Sequence, residues 1–281
     1  MSLSWHDRLQ VFLAPDRVAA LRFGRGLRRR APESRIVNIA AEQADEAGRA
    51  AASAFDRLLG EMGARQCRVS VVLSNHFVRY LVVPWSSRVA TPEERASLAG
   101  HSFAKVFGES AQRWTARVSP AAGARATLAA AIDTDLLHQL RSAADAAGAR
   151  LDSVQPLLMA VYNAWRRDVR EGPLSVLVAE PGRWCWASLL DGAWRRVQSG
   201  KLGERGGVEL AEIVERQLSL NLAEGETAGV GVPEIWVYAE GLADLATPAG
   251  SRWSVRTLSL PPGRRPAEGA APAFGHALLA G

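Results

Sequence analysis

Apolar and polar positions alternate over short runs in the first forty residues. Leu9 to Leu13 and Val18 to Phe23 read as two strands joined through Ala14-Pro15-Asp16-Arg17, and Arg35 to Ile39 as a third after the arginine-rich turn Gly24 to Pro32. The period then lengthens. Ala41 to Met62 places Ala47, Ala51, Ala54, Phe55, Leu58 and Leu59 on one helical face, with Gly60 and Gly63 marking its end. Cys67 to Trp85, CRVSVVLSNHFVRYLVVPW, holds two apolar strands, Val69 to Leu73 and Arg79 to Val83, around the polar turn Ser74-Asn75-His76. Thr91-Pro92-Glu93-Glu94 is a helix start, Thr91 capping and proline in the first turn, and that helix extends to about Phe107. Two more strands follow, Arg113 to Ser119 and Ala126 to Ile132, on either side of the turn Pro120 to Gly123. Asp133-Thr134-Asp135 opens a helix that Gly148 stops. Leu151 to Val154 is a short strand, and Pro156 to Arg167 a helix.

Pro173 divides the chain. Leu174 to Ala179, Trp184 to Leu190 and Ala193 to Ser199 form a meander with the two-residue turn Asp191-Gly192, then come a helix over Val208 to Leu222, a strand over Glu234 to Tyr238 and an edge strand over Trp253 to Leu258. The Pro/Gly/Ala-rich stretch Pro261 to Pro272 leads to a closing helix, Ala273 to Leu279. Each half therefore offers hairpin strands, a helix, and a further strand and helix. That is a duplicated α/β architecture without a residue-level repeat.

With 281 residues, 48% of them hydrophobic and 22% charged, the chain can bury one large or two modest cores. No apolar run approaches the roughly 20 residues that span a bilayer, and the charged N-terminus MSLSWHDRLQVFLAPDR lacks a signal peptide's apolar core, so a cytoplasmic location is expected. Cys67 and Cys185 stand alone and read as buried thiols, and His6, His76, His101, His138 and His276 show no metal-ligand spacing. The net charge of +5 rests on arginine, since Lys105 and Lys201 are the only lysines. Arg22, Arg25, Arg28, Arg29, Arg30 and Arg35 cluster at a hairpin tip, as a solvated patch or one that nears anionic lipid. No recognition motif for nucleic acid accompanies that charge. Tryptophan is abundant. Trp85, Trp114, Trp165, Trp194, Trp236 and Trp253 read as anchors of the core or of an interface, whereas Trp184 and Trp186, on one face of one strand, serve either the core or a partner.

The order of these pieces resembles the actin-like ATPase superfamily, in particular its pilus-assembly branch represented by PilM and the cytoplasmic part of the type II secretion protein GspL. The resemblance covers nearly the whole chain. It rests on VFLAPDRVAALRF for the opening hairpin, VSVVLSNHFVRYLVVPW entering a small inserted subdomain, and ATLAAAIDTDLLHQLRSAADAAGARLDSVQP returning from it. LSVLVAEPGRWCWASLLDGAWRRVQSG then stands for the second-lobe hairpins, IWVYAEGLADL for a third nucleotide segment and AFGHALLAG for the closing helix. It implies a two-lobed actin-like (ribonuclease-H-like) α/β fold with a first lobe over 1–74 and 124–172, an inserted α/β subdomain over 75–123, a second lobe over 173–262 and a C-terminal tail and helix over 263–281.

Members of the superfamily bind ATP with an acidic residue and a glycine-containing turn at each of two hairpins, and with paired glycines over the adenosine; close backbone approach cradles phosphate while carboxylates hold Mg²⁺. This chain departs at all three places. Leu13 and Pro15 stand where acid and glycine are expected, with Asp16 one residue away beside Arg17. Val178 precedes Glu180-Pro181-Gly182 in the second hairpin, and the third segment reads Tyr238-Ala239-Glu240-Gly241. Residual nucleotide binding would fall to Asp16, Glu180, Gly182 and Gly241, but ATP and Mg²⁺ are disfavoured and no resident cofactor is expected. The resemblance instead implies a non-catalytic scaffold of a type IV pilus or type II secretion-like assembly at the inner face of the cytoplasmic membrane. Its partner would be the cytoplasmic tail of a bitopic inner-membrane protein, with a secretion or pilus ATPase as a further partner, and Asn75, Arg79, Tyr80 and Trp85 are the residues expected near that tail. An ATPase with divergent motifs and a soluble regulatory binding module are the alternatives.

Overall fold

A computed structural model describes residues 6–25, 31–40, 46–87, 89, 91–120, 124–203, 205, 207–223, 234–239, 253–260 and 272–280. The chain forms two compact units. The first comprises Met1–Val78, Ile132–Ala160 and Leu260–Gly281, and the second Arg79–Ala131 and Val161–Ser259.

In the first unit β1 (Arg8–Leu13) runs antiparallel to β2 (Arg17–Phe23), and β2 antiparallel to β3 (Glu33–Asn38). β4 (Arg68–Leu73) lies parallel to β1 in the register Arg8↔Arg68 to Leu13↔Leu73, and β8 (Arg150–Pro156) parallel to β4. The sheet order is β3-β2-β1-β4-β8. Successive residues of a strand face opposite sides, so a strand that is apolar at nearly every position, as β1 is, has to be covered on both faces. Helices supply the cover: α1 (Ala47–Glu61) packs on β2 and β3, α3 (Thr134–Ala146) on α1 and β8, and the closing α6 (Pro272–Leu278) on β1, β2 and β4. The apolar stripe read from the sequence is the face that α1 buries, through Ala51, Ala54, Phe55, Leu58 and Leu59. Asp133 caps α3, its Oδ1 accepting from the Asp135 and Leu136 N–H groups at 2.9 and 3.4 Å, and Gly148, at φ +64°, ends the turn after it.

The second unit repeats the plan. β9 (Pro173–Glu180), β10 (Arg183–Leu190) and β11 (Ala193–Lys201) form the antiparallel meander, and after α5 (Gly207–Ala223) the strand β12 (Glu234–Tyr238) returns parallel to β9, with β13 (Ser254–Thr257) parallel beyond it. The order β11-β10-β9-β12-β13 matches that of the first sheet strand for strand and sense for sense. Asp191 and Gly192 both have positive φ, 52° and 77°, the conformation that a two-residue type I′ hairpin turn demands. Trp184 and Trp186 resolve as core: they are buried with Leu177, Leu210, Ile213 and Val214 under α5. Trp184 needs Gly200 opposite it, since a Cβ there would lie 2.7 Å from the indole atoms.

The same unit carries a smaller sheet of order β5-β7-β6, from β5 (Val78–Val83), β6 (Trp114–Val118) and β7 (Thr127–Asp133). α2 (Pro92–Phe107) packs against β6, and Thr91 and Glu94 close a reciprocal capping box at its start. Val83, Ala99, Phe103, Ala129 and Ala131 form the core here, with Trp114 set edge-on to Phe103 and Phe107. α4 (Leu157–Trp165) carries the chain onward to the second unit's large sheet.

Two predictions follow from this packing. His276, in α6, is buried with its ring 4.5 Å from that of Phe12; burial first, and the charge of Arg17 second, hold its pKa down from 6.5 to about 3. Between those values the unfolded chain binds the proton and the folded chain does not, so stability falls as pH drops through that window. From pH 7 to pH 5 the loss is about 2 kcal/mol, and His276→Leu flattens the dependence of the denaturation midpoint on pH over that range. Gly200→Ala is expected to destabilise the second unit by roughly 1–3 kcal/mol through overpacking on Trp184, read as a lowered denaturant midpoint with altered tryptophan emission.

Candidate functional site

The two turns expected to hold phosphate are hairpin turns at the ends of central strands. In the first, Leu13 is fully buried, and the Ala14 N–H donates to the Arg17 carbonyl at 2.9 Å, closing the turn on itself. Pro15 has no N–H to offer a phosphate. The Asp16 side chain is 54% exposed, and its Oδ2 accepts from Arg17 Nη2 and Nε at 2.5 and 2.9 Å. That hydrogen bond is the main reason the Arg17 guanidinium sits above its usual pKa. The carboxylate is thus engaged by the adjacent arginine, and the Asp16 carbonyl by the Ile39 N–H at 2.8 Å.

In the second turn Glu180 is only 2% exposed and lies opposite Arg183 in the β9–β10 register. Pro181 and Gly182 bridge the strands, Gly182 at φ +76°, with its carbonyl accepting from the Leu202 N–H at 3.1 Å. Val178 is buried inside β9, so it presents nothing to a ligand. Tyr238, which begins the third segment, is buried with its ring 6.2 Å from that of Trp165; Glu240 and Gly241 lie outside the described residues. Asp16 belongs to the first unit, and Glu180 and Gly182 to the second.

The four residues expected near a partner part company. Asn75 is 1% exposed, and its Oδ1 accepts from the Leu158 N–H at 3.3 Å, in the first turn of α4. Its neighbour Ser74 accepts from the His76 N–H at 3.1 Å, so the polar turn caps and closes instead of facing outward. Trp85 is 52% exposed. Arg79 and Tyr80 reach a cavity of about 670 Å³ that lies wholly within the second unit.

β5 contributes Arg79, Tyr80 and Leu81 to this cavity, and β11 contributes Val197, Gln198 and Ser199. Arg183 and Trp184 of β10, Arg216, Gln217 and Leu220 of α5, and Val106 and Phe107 of α2 complete the lining. Among the described residues three arginines and no carboxylate line the cavity. The Arg79 guanidinium lies 6.0 Å from the Trp114 ring centre, and burial, then the like charge of Arg183, push its pKa below the usual value. Arg183 Nη2 donates to Ser199 Oγ at 3.0 Å, while its Nε is buried with no hydrogen-bond partner among the described residues. Arg216 lies over the Trp184 ring at 5.9 Å. Of the four residues expected near a partner, Arg79 and Tyr80 line this cavity, and its β10, β11, α2 and α5 members were not among them. The available signal was a large apolar side chain left outside at a helix end, as at Val106 and Leu220.

The arginine cluster is partly structural. Arg22 pairs with Asp7 at 2.7 Å and donates to the Met62 carbonyl, and Arg35 pairs with Glu61 at 2.6 Å; Arg28, Arg29 and Arg30 lie outside the described residues. Cys67 and Cys185 are buried free thiols whose pKa values burial raises. Among the described residues no three His, Cys, Asp or Glu side chains group as metal ligands, and no helix is long and apolar enough to cross a membrane.

No protein-family model matches the sequence, and no curated protein matches it at a significant level. Solved structures do. The chain is similar to one in the PilM–PilN type IV pilus biogenesis complex, with a TM-score of 0.63 and 15% identity over 97% of this chain and 96% of that one. It is similar to the cytoplasmic domain of EpsL, an inner-membrane component of the Vibrio cholerae type II secretion system, with a TM-score of 0.54 and 12% identity over 90% of each. A Bacteroides thetaiotaomicron protein of unknown function with an actin-like ATPase fold gives a TM-score of 0.55 and 8% identity over 83% and 82%. Two sheets of one order and one set of strand senses, with a small α/β insertion, are thus the actin-like ATPase fold, which these solved structures share.

Proposed function

We propose that this chain is a non-catalytic actin-like adaptor in a type IV pilus or type II secretion-like assembly. It stands in the cytoplasm at the inner face of the cytoplasmic membrane and holds the cytoplasmic tail of an inner-membrane partner; an assembly ATPase is a further candidate partner. The observation that carries this reading is the Ala14–Arg17 turn. Phosphoryl chemistry in this fold needs backbone donors and a carboxylate free to hold Mg²⁺ or its water. Here the turn holds proline instead of glycine, closes on the Arg17 carbonyl, and has its one carboxylate engaged by the Arg17 guanidinium. The similarity to structures titled as a pilus biogenesis complex and as an inner-membrane secretion component supports the assembly setting.

The rival reading, a nucleotide-binding ATPase with divergent motifs, draws on one feature: the buried carboxylate of Glu180 beside the positive-φ turn at Gly182. Calorimetric titration with ATP and Mg²⁺ separates the two. No binding tighter than about 1 mM is expected, about −4 kcal/mol. Asp16→Ala is expected to move stability by less than about 1 kcal/mol, as for other exposed ion pairs. Micromolar ATP binding that Asp16→Ala or Glu180→Ala abolishes would overturn the adaptor reading. Membrane attachment through a partner also predicts that the chain does not float with protein-free vesicles of anionic phospholipid, and co-flotation with them would show direct lipid binding instead.

A further inference from the structure

Three consecutive residues of a strand send their side chains to alternate faces, so a cavity touched by all three runs along the strand's edge and not over one face. The 670 Å³ cavity is touched this way by Val197, Gln198 and Ser199 of β11, which is the outermost strand of its five-stranded sheet. An edge strand offers outward N–H and C=O groups to any extended chain, and proteins blunt such edges with charge. β11 carries Arg195 and Arg196 at one end and Lys201 at the other, but Val197 to Gly200 between them is uncharged. Val197 to Ser199 of this stretch line the cavity. Opposite stands β5, itself an outermost strand, bearing Arg79.

The lining chooses among occupants. Arg79, Arg183 and Arg216 bring three positive charges, and among the described residues the lining brings no carboxylate; Glu212, one turn from Arg216 on α5 and within its electrostatic reach, has both oxygens taken by Arg205 at 2.9 Å. Glu180 lies across the hairpin from Arg183, yet Arg183 Nε stays buried without a hydrogen-bond acceptor. Arg79 feels the like charge of Arg183, so the pair presents an incoming segment with positive potential that a carboxylate would complement. Leu81, Phe107, Trp184 and Leu220 supply apolar surface among these charges.

We propose that this groove binds an extended acidic segment of a partner protein, which adds as a strand to the β11 edge at Val197–Ser199 while its carboxylates meet Arg79, Arg183 and Arg216. Main-chain pairing then supplies affinity and the arginines supply selectivity. Three residues of edge span about 10 Å, so a paired core of about four residues is enough. This deepens the adaptor reading, on which it rests for the existence of a partner, by giving the chemistry of the segment held.

The probes are two labelled ten-residue peptides, one alternating glutamate with valine or leucine and one with lysine in place of each glutamate, titrated against the full chain by fluorescence anisotropy. The acidic peptide is expected to bind at least tenfold more tightly than the lysine peptide. Arg216→Glu, an exchange on the solvent side of α5, and Arg79→Glu are each expected to weaken it tenfold or more, whereas Arg35→Glu in the first unit leaves it unchanged. Hydrogen exchange with bound peptide is expected to slow at the amides of Val197–Ser199. Equal binding of the two peptides, no binding of either, indifference to Arg216→Glu, or binding without added protection at Val197–Ser199 overturns the proposal. So does full displacement by equimolar inorganic pyrophosphate, which would make the groove a small-anion site. A chain that binds the acidic peptide and also Mg-ATP refutes the adaptor reading and leaves the groove standing; a chain that binds neither does the reverse.

Discussion

Everything in this chain follows from the burial of two central strands on both faces. β1 and β9 each sit between an antiparallel hairpin partner and a parallel neighbour that only a crossover can deliver, so helices are forced onto the sheet and the strand interiors are closed to chemistry. Reactivity in such a sheet is confined to the ends of the strands, where the backbone turns and donors come free. β1 ends at Leu13 and β9 at Glu180. The two hairpins at these ends differ: one closes through proline and an exposed ion pair, and the other has a glycine at φ +76° next to a buried carboxylate.

The parts legible in the sequence were those set by neighbours in the chain. Thr91 with Glu94 is a capping box because both partners lie within four residues, and Asp191-Gly192 is a hairpin turn because both residues tolerate positive φ. The parallel neighbours β4 and β12 were recognisable as strands from β-branched runs, and their place beside β1 and β9 came from resemblance of order, not from periodicity. Asn75 shows where local reading stops. Ser-Asn-His between two strands looks like a solvated turn, but its amide meets the first turn of a helix 83 positions later, a pairing that no local pattern encodes. The groove is the same case enlarged, since its lining is gathered from five elements between Arg79 and Leu220.

Arginine explains why net charge was a poor guide. Arg17, Arg22, Arg35, Arg68, Arg205 and Arg256 each face an acid, Asp16, Asp7, Glu61, Asp152, Glu212 and Asp168 in turn. Pairs this exposed contribute little to stability, but they neutralise the surface locally. Arg183 and Arg216 differ, for their guanidinium groups meet a hydroxyl and an indole face. An excess of +5 spread over the molecule is thus less informative than a few cations collected beside an open strand edge.

Leucine and proline at the first hairpin also bear on its stability. A glycine-rich turn kept open for a ligand costs conformational entropy on folding, whereas proline at a compatible position restricts the unfolded chain and is worth about 0.4–1 kcal/mol to the folded one. Leu13 adds a fully buried side chain at the end of β1. Leucine and proline at these positions therefore favour a stable first hairpin, whereas an acid and a glycine would favour a turn that binds phosphate. The burial of β1 needs only apolar faces, which Leu13 helps to supply, so the order of the sheet does not depend on what its turn can bind.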